Sequence, residues 1–309
     1  MVINDRIKMI LVITSSFDKT IDYIVKKHSI NNFYRLDVDN FSEYKFSYTK
    51  KGFSIVNKNN NELLESECRS IYYRKPTPEN IINKIDSKYH NHCFREVFAF
   101  VEGIAESFTG KCLSKPSIIK RADNKVLQAK TAIDIGFTIP DFILTNNFDC
   151  FKNTLTINSI VKPLSSGLIE NQKEKEFVQT NMVDMNKNTE TLKYCPAYFQ
   201  SYTKKEFEVR STFINGKDYS VKIISKNKID WRKNNNEIFY STIKMPDTIK
   251  EKCLRYMSVM NISFGCFDFI VFDGEWFFLE MNANGQWAWL ENETNINVSS
   301  ELVRFLNEV

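Results

Sequence analysis

Hard-oxygen side chains gather in one stretch of this 309-residue chain, where residues 267–282 read FDFIVFDGEWFFLEMN. Asp273-Gly274 between two apolar runs is a hairpin signal, which would lay the runs antiparallel and bring Asp268, Glu280 and Asn282 together. Glu280 and Asn282 stand two apart, so on a strand they share a face. Two carboxylates and an amide oxygen suit magnesium, which takes a few protein oxygens and completes its shell with phosphate and water. A half-exposed amphipathic hairpin would carry the same residues, so their meaning depends on the cations that join them. Lys125 lies in a predicted helix opening at Asp123, Lys162 ends a predicted strand just before a Ser165-Ser166-Gly167 loop, and Arg210 lies inside an apolar run. An arginine there is costly unless it meets a carboxylate or phosphate. Lysines at the other two places can neutralise nucleotide phosphates, with the loop's backbone N–H groups closing over them. Neither GxxxxGK(S/T) nor a strand–GxGxxG–helix is present, and no Ser-His-Asp or Cys-His set supplies a covalent nucleophile.

The elements that would position these groups follow from apolar periodicity. Residues 8–14 (KMILVIT) read as a buried parallel strand running into a helix to about residue 27, the opening of an α/β domain. Residues 70–73 form a second strand, stopped by Arg74-Lys75-Pro76. Apolar residues at three- and four-residue spacing from Phe94 to Ala105 predict a helix over 78–108, and the first domain ends near Pro116. Asp123 can cap a helix that stops at Gly136, while 138–144 and 159–162 look extended. Residues 171–193, rich in Lys and Asn, read as solvated and mobile.

From Pro196 onward strands dominate. They cover 198–202, 208–214 and 219–224, with Asn215-Gly216 as a hairpin turn. A helix over 248–260, two hairpin strands over 266–272 and 276–281, and a C-terminal helix from Ser299 complete the chain. The predicted division is 1–116, 117–195 and 196–309, and the fold class is α/β (α+β).

Composition narrows the partners. Forty-two basic and 38 acidic residues leave a net charge of +4 spread along the chain, which suits an acidic ligand and gives no basic stripe for nucleic acid. Seven scattered cysteines, none in a CxxC pair, argue against a disulfide framework or a structural zinc and for a reducing cytoplasm. His90 and His92 are two apart and do not share a helical face. No run approaches the roughly 18 apolar residues of a membrane span, and no N-terminal signal pattern is present.

Read in order, the chain presents Lys125 after Asn124, GFTIP (136–140), Lys162 before its small-residue loop, FQSY (199–202), EFEVR (206–210), Asn215-Gly216 and the Asp268, Glu280, Asn282 set. Over residues 121–291 this order resembles the ATP-grasp superfamily. More narrowly, IYYRKP (71–76), VKPLSSG (161–167), PAYFQ (196–200) and LEMNANGQWAW (279–289) resemble the microviridin- and plesiocin-type graspetide synthetases, ATP-grasp ligases that macrocyclise ribosomal peptides. The Asn-Gly-Gln-Trp extension is the most specific of these; Ala283 stands where that family has proline, a change that removes rigidity but no ligand.

The resemblance implies an ATP-grasp fold with an N-terminal α/β pre-ATP-grasp domain, a central subdomain and a C-terminal antiparallel-sheet subdomain, ATP lying between the last two. Lys125 and Lys162 would then contact ATP phosphates or the adenine edge, together with Ser165, Ser166 and Gly167. Gln200, Ser201 and Tyr202 would line the adenine through backbone groups, and Glu206 or Glu208 would bind ribose or a metal. Arg210 would neutralise the transferring phosphate, and Asp268, Glu280 and Asn282 would hold Mg2+. Substrate candidates are Arg74, Lys75, Trp231, Arg232, Asn284, Gln286 and Trp287.

The implied reaction activates Glu or Asp side chains of a ribosomal precursor peptide, with a leader and an acidic core, as acyl phosphates. Thr/Ser or Lys side chains then close ester or amide rings. The alternatives are the same chemistry on free amino acids or a protein terminus, or a non-catalytic nucleotide- or peptide-binding protein. The presence of Asp268, Glu280 and Lys162 argues against the last. The strands around 219–231 would offer the leader an edge, and a homodimer is compatible with the sequence.

Overall fold

A run of β-branched and aliphatic residues makes β1 (Met9–Thr14) the buried centre of the first sheet, with Ile10, Leu11, Val12 and Ile13 all inaccessible, as a strand covered on both faces requires. The computed structural model describes residues 8–155, 158–165, 167–170, 175–177, 180–185, 189–226 and 237–308. The chain divides into two compact units, Met1–Ile119 with Asn297–Val309, and Lys120–Ile296.

In the first unit β1 is followed by α1 (Lys19–His28), β2 (Phe33–Asp37), β3 (Lys45–Thr49), β4 (Gly52–Val56), β5 (Glu62–Leu64), β6 (Cys68–Tyr73), α2 (His90–Ser107), β7 (Lys111–Leu113) and α3 (Pro116–Ala122), whose last residues cross into the second unit. The main sheet is parallel in the order β2-β1-β6-β7, and β3-β4-β5 form a separate antiparallel sheet. Leu11 and Ile13 share one core with Leu36, Ile55, Val101 and Ile104. The helix predicted over 78–108 forms only from His90. Pro76 and Pro78 disfavour helix at its start, and a 3-10 turn at Ser87–Tyr89, capped by Asp86, leads into α2.

The second unit runs α4 (Lys125–Ile135), β8 (Phe142–Thr145), α5 (Phe148–Thr154), β9 (Ser159–Lys162), β10 (Leu168–Glu170), β11 (Lys175–Phe177), β12 (Asn181–Met182), β13 (Ala197–Ser201), β14 (Phe207–Ile214), β15 (Lys217–Ser225), β16 (Ile238–Thr242), α6 (Asp247–Met260), β17 (Phe264–Phe272), β18 (Glu275–Asn282) and α7 (Ala288–Thr294). Two antiparallel sheets dominate it, β12-β9-β13-β8 and β16-β15-β14-β17-β18. Both predicted hairpin turns form, with Asn215 and Gly216 at φ +48° and +78° and Asp273 and Gly274 at +49° and +75°, the left-handed pair such turns require. Part of the stretch read as solvated, 171–193, forms strand (β11, β12) and a 3-10 turn at Glu190–Tyr194, with Asn181, Met182, Glu190 and Lys193 exposed.

The last helix, α8 (Val298–Asn307), packs in the first unit. Ser70 Oγ donates to the Leu306 carbonyl at 2.8 Å and Lys111 Nζ to that of Phe305 at 2.9 Å, while Leu302 and Leu306 are fully buried. Residues 297–309 of the predicted segment 196–309 thus belong to the first unit, where the C-terminal helix lies against β6. No helix among the described residues is long and apolar enough to cross a membrane.

Candidate active site

One row of side chains crosses three strands. The register sets Arg210 of β14 opposite Asp268 of β17, and Asp268 opposite Glu280 of β18. Alternation alone would not allow this. Trp276 and Phe278 are buried, so two residues further Glu280 would also point into the core. A bulge intervenes: Asp268 pairs with Glu280 but Phe269 with Phe278, leaving Leu279 extra. The parity of β18 flips there, Met281 becomes the buried residue, and Glu280 and Asn282 turn to the face that carries Asp268 and Arg210.

The row is tied together by hydrogen bonds. Arg210 Nη1 donates to both carboxylate oxygens of Asp268 at 3.1 Å, and its Nε to the Gln286 carbonyl at 3.0 Å. Asn282 Nδ2 donates to Asp268 Oδ2 at 3.1 Å and to Glu280 Oε1 at 3.3 Å. Lys125, the first residue of α4, places Nζ 2.5 Å from Glu280 Oε2. Gly285 lets the following loop lie against this row, because a Cβ there would stand 2.5 Å from Cys266 Cβ and 2.9 Å from Arg210 Nη2. The structure thus brings Lys125, Arg210, Asp268, Glu280 and Asn282 into one cluster.

Charge complementarity is strong. Burial alone would push the Glu280 carboxyl up, but the charges of Lys125 and Lys162, with hydrogen bonds from Lys125 and Asn282, hold it well below the usual carboxylate range. Burial works against the Arg210 charge too, and Asp268 foremost outweighs it, so its pKa is raised. These side chains remain partly open, 14% for Arg210, 21% for Asp268 and 27% for Glu280, so a ligand can reach them.

The other sheet of this unit supplies the remaining groups. Phe199, Val161 and Ile143 pack with Phe151 on one face of β13 and its neighbours. The opposite face carries Tyr198, Lys162 and Gln200. Lys162 Nζ lies 4.5 Å from the centre of the Tyr198 ring, and burial together with Glu280 pushes the Tyr198 phenol up, keeping it neutral. Gln200 is 1% exposed, and neither its Oε1 nor its Nε2 has a hydrogen-bond partner among the described residues. A buried amide left so costs about 1–3 kcal/mol. The backbone N–H groups of Ser201 and Tyr202, expected to read the adenine, are already donated to the Asp141 and Asn158 carbonyls. The side-chain amide of Gln200, beside them on β13, has its donor and acceptor groups unused among the described residues.

Other sequence candidates fall in different places. Glu206 Oε1 accepts from the Asp273 N–H at the β17–β18 turn, whereas Glu208 shares the Arg210 face and pairs with buried Lys205. Ser165 is exposed, and Ser166, Trp231 and Arg232 lie outside the described residues. Asn284 is half-buried and Gln286 exposed, but Trp287 is fully buried, so its ring is packing and presents no surface to a substrate. Arg74, in the first unit, is also 0% exposed, because Asp18, Thr20 and Tyr72 enclose its guanidinium; Lys75 beside it is exposed. Asp123 does not cap α4. Asn124 does, accepting from the Leu127 N–H, and Asp123 instead accepts from the Ala283 N–H at 3.2 Å. Sequence reasoning missed Lys205, Tyr198, Gln128 and Gly285. Gln128 carried a signal, since it is a polar residue on the buried face of α4.

As a metal site the cluster offers two carboxylates and an amide, and among the described residues no group of three His, Cys, Asp or Glu side chains is placed to hold a metal. Such a hard, incomplete oxygen set fits magnesium that shares phosphate oxygens, not a closed structural site.

The comparisons with known proteins bear on the fold that carries these residues. Residues 9–120 match the family described as the MvdD pre-ATP grasp domain. No curated protein matches the sequence. Among solved structures, the macrocyclase MdnC of Microcystis aeruginosa MRC, bound to its precursor peptide MdnA, superposes with a TM-score of 0.86 at 25% identity over 96% of this chain and 99% of that one. The RiPP-associated ATP-grasp ligase of Chryseobacterium gregarium, in complex with ADP and a leader and core peptide, gives 0.83 at 26% identity over 97% and 96%. D-alanine–D-alanine ligase of Bacillus anthracis, complexed with ATP, gives 0.56 at 16% identity over 97% and 96%, a likeness of fold. The chain has the ATP-grasp fold, and its likeness is to the ligases of ribosomal peptides.

Proposed function

We propose that this chain is an ATP-dependent ligase that activates Glu or Asp side chains of a ribosomal precursor peptide and closes ester or amide rings with Thr/Ser or Lys side chains. The observation that carries it is the Arg210–Asp268–Glu280 row with Lys125 and Lys162, set in a fold that matches two peptide-bound ligases over nearly its whole length. Gln200 is compatible with a nucleotide base in this site, because its amide offers N–H donors and a carbonyl acceptor to the edge of a base. Glu208, on the Arg210 face, is favoured over Glu206 as the third acid of the site. Asp268, Glu280 and Asn282 would hold Mg2+, which when bound supplies positive charge against the phosphate oxygens.

In the reaction a substrate carboxylate oxygen attacks the γ-phosphorus of ATP and ADP leaves. A hydroxyl or amine of the same peptide then attacks the acyl carbon, inorganic phosphate leaves, and the peptide has lost one water. Arg210 and the lysines hold charge that spreads over the transferring group. The net charge of +4 suits an acidic core. The strand expected to offer the leader an edge, β15, is paired on both sides by β14 and β16, and 227–231 lie outside the described residues, so the edge strand β16 is favoured instead. Phe239 on β16 is 64% exposed, so a strand added at this edge would gain an apolar neighbour as well as backbone hydrogen bonds. The seven cysteines are free thiols, which suits a reducing cytoplasm.

The test is to incubate the protein with ATP, magnesium and the small peptide encoded beside its gene, and to weigh the product. Whole-water losses that require ATP are expected; an unaltered peptide alongside ADP release on free amino acids would move the substrate elsewhere.

A further inference from the structure

β18 is an edge strand of the five-stranded sheet, so half of its backbone groups face away from β17. At Met281 these groups are sealed from water, since the residue is 0% exposed, and they need partners from within the chain. Gln128 of α4 provides both. Its Oε1 accepts from the Met281 N–H at 3.1 Å, and its Nε2 donates to the Met281 carbonyl at 2.7 Å and to the Ala122 carbonyl at 2.8 Å. The amide thus stands in for a neighbouring strand at the one residue between Glu280 and Asn282.

We infer that Gln128 is a positioning residue that fixes the register of the bulge and so keeps Glu280 and Asn282 turned toward the face carrying Asp268, where a metal would be held. The bulged residue, Leu279, lies between two anchors on the outer edge of β18. On one side the Phe278 N–H donates to the Thr138 carbonyl at 2.8 Å, and on the other stands the Gln128 clamp at Met281. Asp123 adds a bond to the Ala283 N–H just beyond. A slip of one residue between these points would turn Glu280 into the aromatic core. The helix that holds the backbone also holds the side chain: Lys125, three residues before Gln128, lies on the same side of α4 and pairs with Glu280. One short helix therefore sets both the direction of the Glu280 carboxylate and the charge beside it.

This rests on the proposed ATP and metal site, and the test separates the two. Mn2+, standing in for magnesium, is titrated into ADP-saturated protein and free Mn2+ is read by electron paramagnetic resonance, alongside ADP binding without metal. Gln128→Met keeps the length of the side chain and removes its hydrogen bonds. It should weaken Mn2+ binding about tenfold while ADP binding without metal stays within about twofold. Gln128→Glu keeps the acceptor for the Met281 N–H but sets a carboxylate oxygen against the Met281 and Ala122 carbonyls, so it should also weaken Mn2+ binding. Equal Mn2+ affinity in wild type and Gln128→Met, with wild type binding both ligands, overturns the clamp and leaves the ATP reading intact. A wild-type chain that binds neither ADP nor Mn2+ overturns both. Failure of both variants to fold would make Gln128 a purely structural residue and also overturn the inference.

Discussion

Arg74, just past β6 in the first unit, lies 3.0 Å from Asp18; Arg210, inside β14 in the second, lies 3.1 Å from Asp268. Around Arg74 only 1% of the side chain is open and 12% of its aspartate, and the remaining nitrogens meet Thr20 and Tyr72. Around Arg210 the figures are 14% and 21%, and the same aspartate also receives Asn282. The first pair closes on itself inside a core and holds the α1 cap to the end of β6. The second belongs to an open row whose other members are Glu280 and Lys125. An ion pair of the same chemistry and similar length is sealed in one setting and partly open in the other, and the difference lies in what surrounds it.

Substitution should separate the two. Arg210→Met is expected to slow ring formation by about 10²–10³-fold, the usual loss when one group that stabilises transition-state charge is removed, and to lower the melting temperature less than Arg74→Met does. Arg74→Met should cost about 3–5 kcal/mol in denaturant unfolding by stranding Asp18, with ADP affinity of the folded protein unchanged. A stable Arg74→Met chain that no longer binds its peptide would break the contrast and return Arg74 to the substrate site.

Much of this was legible in the sequence where the signal was local. Asn215-Gly216 and Asp273-Gly274 specify their turns in two residues, and Gly136 ends α4 at φ +90° as its position suggested. The bulge at Leu279 was not legible, because residues 276–279 read WFFL, an unbroken apolar run with no parity to lose. Arg74 and Arg210 look alike for a related reason: each follows apolar strand residues, and burial is decided by distant segments. Residues 28–69 hold four strands, of which β2 shows plain alternation at Tyr34 and Leu36.

Smaller effects sharpen the comparison on the nucleotide side. Gln200→Leu removes an amide that has no partner among the described residues, so the ligand-free protein should gain about 1 kcal/mol while ADP binds several-fold more weakly; a loss of stability with unchanged ADP affinity would show that the amide is structural. The pH dependence of stability should change in Glu280→Gln. Glu280 has a depressed pKa when folded, so its contribution is present above the ordinary carboxylate value of about 4.3 and is lost as pH falls through the folded value. The stability difference between wild type and Glu280→Gln should therefore shrink in acid, and a difference that stays flat would contradict the pairing with Lys125 and Lys162.

The most direct measurement counts ADP released against water lost from the precursor peptide in one reaction. The account predicts one ADP for each ring, with both products abolished in Glu280→Gln. Rings formed without ADP, or ATP consumed while the peptide keeps its mass, would contradict it.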